Sequence, residues 1–368
     1  MNKNFYGERL HQLRIINNMA LNDLGDKIGT SKQYVYQLET NVQKPNDLLV
    51  ACLSQVLHVL PSFFTRSYDN RVEEGQCYFR KAKTTPDGEK EKARHCAALL
   101  EDYVHFIETE FDLPPINFDG KEAQSNEEIE KAADAARMHW GLGLDRPIDD
   151  MSRTLENAGA IITYFKSLSD KVDAFSINRV RPIVIRNPAK DNACRQRFDL
   201  AHECGHLILH KFNEFIPEDE LKEEQANRFA SAFLLPRVGF MQEFYPAFQG
   251  YRINWSLLLK LKKRWRVSFG AMIRRAYDLD IIDPLKYRSA YVYLRKTGQI
   301  KTEIGDEDIP LETATLLPSI TKELLDNYRD NLTQFIIDRG MSFSLLSEAT
   351  AYPFSSVLDE ELRSFAGN

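Results

Sequence analysis

The 368-residue chain contains no run of roughly eighteen apolar residues, the length a membrane-spanning helix needs. Met1-Asn2-Lys3-Asn4-Phe5-Tyr6-Gly7-Glu8-Arg9 supplies no apolar core of a secretory signal. Cysteine is scarce: Cys52, Cys77, Cys96, Cys194 and Cys204 are odd in number, scattered, and form no Cys-x-x-Cys pair. That argues against a disulfide framework and for a reduced, cytoplasmic setting with no membrane partner. Positive charge is not in excess either. The net charge is −6, so there is no global basic field, and any contact with nucleic acid must come from a local surface. The length sets an expectation of two or three domains.

What is present is concentrated in Arg197-Phe198-Asp199-Leu200-Ala201-His202-Glu203-Cys204-Gly205-His206-Leu207-Ile208-Leu209-His210. The segment contains His-Glu-x-x-His. Residues four apart share a helix face, so His202 and His206 can hold one Zn²⁺. Glu203 is rotated by about 100° from His202 and can reach a metal-activated water as general base without being a ligand. Cys204 is turned by about 200° and points away, as a small buried residue. The bare motif also arises by chance in ordinary helices, so a third ligand must be found. His210 lies about 12 Å along the axis from His202, too far for the same tripod, and is expected at the helix end or behind a ligand.

The next helix offers that ligand. Glu223, Ala226, Asn227, Ala230 and Leu234 fall on one face of Glu220 to Leu235. Its alanines allow close approach to the His-Glu-x-x-His helix. Glu223 then meets the metal from the side, and Asn227 can accept the other N–H of a ligand histidine. Glu224 shares a face with Arg228 and Ser231 and reads as solvent-facing. The alternative is that both carboxylates are surface charges. Tyr245 is the candidate to stabilise an oxyanion.

These segments, with Asp173-Ala174-Phe175-Ser176, Arg181-Pro182 and Leu234-Leu235-Pro236, resemble the ImmA/IrrE family of zinc peptidases over residues 122–240. The resemblance implies a gluzincin site of His202, His206 and Glu223 with Glu203 as base. It also implies a substrate that is itself a helix-turn-helix repressor, cleaved to release prophage, mobile-element or stress genes. Gln225 departs from the family, standing where many members have a second Glu.

Residues 5–64 read as a set of short helices. Leu10, Leu13, Ile15 and Ile16 line the first; Leu21, Leu24 and Ile28 the second; Val35 and Leu38 the third; Leu48 through Leu57 the fourth. Gly29 and Ser31 supply a turn and an N-cap between the second and third. The pattern, with Val35-x-x-Leu38-Glu39 and Lys44-Pro45, resembles XRE-type (Cro-like) helix-turn-helix regulators. In such domains the second helix of the motif enters the major groove. Lys32, Gln33 and Gln37 then face base edges, and Ser31, Tyr36, Asn41 and Arg14 face phosphates. Residues 1–66 hold seven Lys/Arg and five Asp/Glu. That small excess implies that operator affinity requires a homodimer. The alternative is a small bundle used for dimerisation.

The remaining segments are less informative. Residues 67–121 read as a helical connector, with a basic run at Arg80, Lys81 and Lys83 and an amphipathic helix from Glu89 to Phe111 ended by Pro114-Pro115. Ser125-x-x-Glu128 is a capping box opening the next helix. Ala160–Phe165 and Arg181–Ile185 read as strands. Leu257–Trp265 and Phe269–Leu279 form a second helix-turn-helix-like hairpin, where Lys260, Lys262, Lys263 and Arg264 make either a solvated face or a DNA contact. Residues 298–368 suggest short strands and a helix near Thr321–Arg339. The expected architecture is α+β and mostly helical: an N-terminal bundle at 1–66, the connector, a zincin-like domain with a small sheet at 122–250, and a helical or mixed sensing or partner region at 251–368. The functional expectation is a DNA-binding, zinc-dependent endopeptidase, localised with the nucleoid, that cleaves a repressor or antitoxin-like protein. The alternative is a repressor or antitoxin whose peptidase fold only senses or binds.

Overall fold

The computed structural model describes residues 4–73, 76–79, 85–166, 174–187, 192–210 and 219–366. Four short helices open the chain: α1 (Gly7–Ile16), α2 (Leu21–Lys27), α3 (Lys32–Glu39) and α4 (Asp47–Leu57), followed by a 3₁₀ turn over Pro61–Thr65. Each of α3 and α4 starts on a side-chain cap, Ser31 accepting from the Tyr34 N–H and Asn46 from the Leu49 N–H. Strand β1 (Cys77–Phe79) and the long α5 (Asp87–Glu110) come next. Then follow α6 (Asn126–His139), α7 (Met151–Asn157), β2 (Ile161–Tyr164), β3 (Phe175–Asn178) and β4 (Pro182–Arg186). The Ser125/Glu128 capping box is formed at the start of α6.

The site helices are α8 (Ala193–Leu209) and α9 (Asp219–Leu234). Behind them lie α10 (Arg237–Glu243), α11 (Tyr245–Phe248), α12 (Trp255–Trp265), α13 (Phe269–Asp278) and α14 (Pro284–Lys296). The chain ends in α15 (Leu316–Asn327), α16 (Arg329–Arg339), α17 (Phe343–Thr350) and α18 (Ser356–Ala366). None of the helices is long and apolar enough to cross a membrane, among the described residues.

The four strands form one sheet in the order β1-β3-β4-β2, with β2 parallel to β4 and the other pairs antiparallel. Alternate side chains of a strand face opposite sides, and here both sides are covered. Ile161, Phe175, Ile177, Ile183 and Ile185 enter a core shared with α1–α5 and α15–α18. Ile162 and Val184 enter a second core built by α6 to α14. A sheet buried on both faces reads as continuous apolar runs, which is why β2 and β4 stand out in the sequence.

Several expectations fail, each for a physical reason. The segment 67–121 is not a bare connector: it supplies β1 at the sheet edge, and the apolar face of α5 is buried in the first core. Phe175 and Ser176 begin β3, a strand between the two that the sequence suggested; Asp173 lies outside the described residues, as do Arg80, Lys81 and Lys83. The mixed reading of 298–368 is also overturned, because its described residues contain helices and no strand. The apolar residues there are spaced for helix–helix burial, with Leu317, Thr321 and Leu324 on one face of α15. The basic cluster of α12 is not a solvated face throughout. Lys262 is fully buried, paired with Glu303 and Asp306 at 2.6 Å each, and Lys263 meets Asp308 at 2.7 Å. Arg14 is not available to a phosphate, since it is buried against Glu39 at 2.6 Å.

Candidate metal centre

Helix α8 is fixed at its N-terminal end by the segment that precedes α15. Buried Arg197 pairs with buried Glu312 and donates to the Ile148 carbonyl at 2.7 Å. Gln196 exchanges two 2.9 Å hydrogen bonds with the Glu312 backbone. The Glu312 carboxylate also accepts from the Met151 and Ser152 N–H groups at the start of α7, where the helix dipole favours an anion. The Arg197-Phe198-Asp199 stretch thus serves to anchor the site helix.

Further along α8, His202, Glu203 and His206 are 0, 0 and 1 % exposed. Helix α9 crosses close by at Gly205, where an added Cβ would lie 3.1 Å from the Ala226 Cα and 3.2 Å from the Phe229 Cβ. This approach brings Glu223 onto the histidines. Its carboxylate lies 3.4 Å from His202 Nε2 and 3.0 Å from His206 Nε2, and the two Nε2 atoms are 3.0 Å apart. Zn²⁺ bonds of about 2.0–2.1 Å in a tetrahedron place neighbouring donors roughly 3.3 Å apart. The three edges here match that spacing to within a few tenths of an ångström.

The other ring nitrogens define the tautomers. His202 Nδ1 lies 3.1 Å from the Asn227 side-chain oxygen, which can only accept. His206 is set by a longer chain. The Gln225 amide donates to the Ala123 carbonyl at 3.1 Å, so its oxygen faces His210 Nε2 at 3.0 Å and accepts that proton. His210 Nδ1 is then an acceptor, and His206 Nδ1 donates to it across 2.9 Å. Both Nδ1 atoms carry protons, and both Nε2 lone pairs point at the same place as the Glu223 carboxylate. Two lone pairs and an anion converging at about 3 Å repel unless a cation lies between them, and this donor set suits zinc.

Electrostatics agree with the ligand states. Burial and the neighbouring His202 hold His206 neutral, its pKa lowered to about 4 against the pull of the Glu223 carboxylate. Burial and His206 lower His210 to about 3. Burial opposes ionisation of Glu223, but the adjacent His202 and His206 rings outweigh it and bring the carboxyl down to about 2. Cys204 is wholly buried in the second core, and burial raises its thiol well above the ordinary value.

The structure therefore gathers His202, His206, Glu223 and Asn227, with Glu203 beside them on α8. Glu224 is exposed. Tyr245 begins α11 with 37 % exposure. His210 stands at the helix end behind a ligand, as the sequence suggested; sequence reasoning missed its link to Gln225. The signal was there: a third histidine at the same i, i+4 interval, and a second amide on the facing helix two residues before Asn227. It also passed over Gly205, the only residue between Cys204 and His206, as the point of helix contact. On α3, Ser31, Lys32, Gln33 and Tyr36 are exposed and Gln37 is half-buried. Asn41 instead accepts from the Gly7 N–H at 2.8 Å and caps α1.

No curated protein matches the chain. Residues 155–277, about a third of its length, match the peptidase M78 family model, described as an IrrE N-terminal-like domain. The match runs from α7 into α13, takes in every residue of the candidate centre from His202 to Asn227, and makes this region similar to a metallopeptidase-type domain.

Proposed function

We propose that the chain is a DNA-binding regulator with a zinc-dependent endopeptidase site of the ImmA/IrrE kind. The observation that carries this reading is the convergence of the His202 and His206 lone pairs with the Glu223 carboxylate, all within 4.8 Å of one another, in a region similar to a metallopeptidase-type domain. Those three residues would hold the ion. When bound, zinc polarises a scissile carbonyl and lowers the pKa of water to about 7. Glu203 takes the proton of the attacking water and passes it to the leaving amine. Asn227 and His210 hold the ligand imidazoles in the tautomers that leave Nε2 open. The substrate of this reading is a helix-turn-helix repressor or antitoxin-like protein governing prophage, mobile-element or stress genes.

The N-terminal helices complete the proposal. α2, the turn through Gly29 and α3 form the helix-turn-helix of a Cro-like unit, and a homodimer seats two copies of α3 on an operator in double-stranded DNA. Lys32, Gln33 and Gln37 read base edges there, and Ser31 and Tyr36 meet phosphates. The exposure of Lys32, Gln33 and Tyr36 supports this assignment.

The test has two arms. Purified protein is expected to contain zinc that His202→Ala removes, and Glu203→Gln is expected to keep the zinc while cleaving a co-encoded repressor at least 100-fold more slowly. Equal cleavage by wild type and Glu203→Gln removes the catalytic role. Footprinting of the upstream region with wild type and Gln33→Ala checks the operator arm, and no protected sequence sinks it. The burial of His202, Glu203 and His206 favours one second reading, a sensor or binding module whose metal is structural. Zinc retention without any cleavage selects it.

A further inference from the structure

A second cluster of ligand-type side chains lies outside the M78-like region. His11 on α1 meets Glu91 and His95, one turn apart on α5, with one ligand atom from each within 4.8 Å of the others. We propose that His11, Glu91 and His95 form a second metal site, for a divalent first-row transition ion, joining the N-terminal helices to α5.

The geometry is that of a ligand set with its supports in place. His11 Nε2 lies 2.9 Å from the Glu91 carboxylate, a few tenths of an ångström short of the roughly 3.3 Å donor spacing around zinc. The other nitrogen of His11, Nδ1, lies 2.9 Å from the Glu39 carboxylate and 3.1 Å from the Arg14 guanidinium that the same carboxylate holds. Glu39 is itself gripped by Arg14 at 2.6 and 3.0 Å. A carboxylate behind a histidine, fixing its Nδ1–H, is the usual support of a metal-bound imidazole.

His95 repeats the arrangement with a different partner. Its Nδ1 lies 2.8 Å from the Tyr68 hydroxyl. Its Nε2 is buried and has no hydrogen-bond partner among the described residues. A buried ring nitrogen left this way is desolvated without compensation, and a metal ion facing it supplies the missing partner.

The donor types decide the class of ion. Two imidazoles and one carboxylate suit Zn²⁺, Co²⁺, Ni²⁺ or Fe²⁺ rather than Mg²⁺ or Ca²⁺, which prefer all-oxygen sites. Charge is compatible as well. Arg14 is neutralised by Glu39, which leaves Glu91 as the anion facing the two rings. The side chains of His11 and Glu91 are 33 and 36 % exposed, so the ion has a path from solvent and a position open to water. The competing account is a ring of His11 that carries two protons and bridges Glu39 and Glu91, with no ion.

The test uses full-length, tag-free protein. Removing the first centre with the double substitution His202→Ala and His206→Ala isolates the second. After chelator treatment, this variant is titrated with Co²⁺, read by visible d–d absorption, and with Zn²⁺, read by elemental analysis. Wild type is expected to take two ions per chain and the double variant one. Adding Glu91→Gln, which keeps the shape of an exposed side chain, is expected to weaken the remaining ion at least 10-fold. Adding His95→Gln is expected to abolish it, with far-UV circular dichroism showing that the helices persist. One ion in wild type and none in the double variant overturns the proposal, as does tight binding that survives Glu91→Gln and His95→Gln together. One ion in wild type that persists in the double variant supports this site and removes metal from the peptidase reading instead.

Discussion

One carbonyl oxygen, that of Ala123, orients His206 through two intervening side chains. Because the Gln225 amide must donate to it, the Gln225 oxygen, His210 and His206 each have only one consistent proton placement. Ala123, Gln225 and His210 all lie behind His206, yet each is needed to leave its Nε2 bare. Gln225→Ala removes the acceptor for His210 Nε2–H and frees the His210 ring to take the other tautomer. Zinc affinity is then expected to fall by about 10–100-fold with the fold intact. Competition against a chromophoric chelator measures this; an unchanged dissociation constant would show that the buried ring of His206 is fixed by packing alone. The same reasoning separates the two glutamates of α9. Glu223 lies 3.4 and 3.0 Å from the two imidazole Nε2 atoms, whereas Glu224, one residue on, faces water.

At the scale of elements, the site is a consequence of how closely α8 and α9 pack. Helices approach each other at 8–10 Å according to the side chains between them, and the contact here is glycine on alanine. A Cβ at position 205 would meet backbone atoms of Ala226, its Cα at 3.1 Å and its carbonyl oxygen at 3.2 Å, and backbone cannot rotate aside. Gly205→Val is therefore expected to push α9 outward and move Glu223 off the histidines. The expected result is loss of stoichiometric zinc together with a destabilisation of about 1–3 kcal/mol from overpacking, read by elemental analysis and urea unfolding. Full zinc occupancy in Gly205→Val would show that the two helices have slack. Much of this pair was legible beforehand. The spacing of His202 and His206, the choice of Glu223 over Glu224 and the alanine face of α9 all follow from a 3.6-residue period. Strand β1 was not legible, nor were the helices of 298–366 beyond the one expected near Thr321–Arg339, which the structure divides into α15 and α16. A three-residue strand carries too few residues to show alternation, and α15 to α18 bury faces against partners distant in sequence, which no local pattern reveals.

At the scale of the molecule, sequence segments and cores do not coincide. The N-terminal helices share their core with α5, one face of the sheet and α15–α18, so the first and last parts of the chain are buried together. One close contact lies where the 3₁₀ turn meets the end of α16. The Leu60 N–H donates to the Gly340 carbonyl at 2.9 Å, and a Cβ on Gly340 would fall 2.2 Å from the Phe63 nitrogen. Gly340 also holds φ +68°, a conformation that costs other residues about 1 kcal/mol. Gly340→Ala thus combines backbone strain with a collision that only a shift of Pro61–Thr65 can relieve. Phe63 and Phe64 on that turn are 1 and 0 % exposed and pack among α1 and α4 residues. Loosening it is expected to raise amide hydrogen exchange in α1 and α4 as well as in α16 and α17, while α8 and α9, in the other core, keep their protection. Exchange followed by mass spectrometry distinguishes this from a local defect. If the faster exchange stays within α16 and α17, the two ends of the chain fold as separate units, and a signal received by the C-terminal helices has no packed route to the helices that carry Lys32 and Gln33.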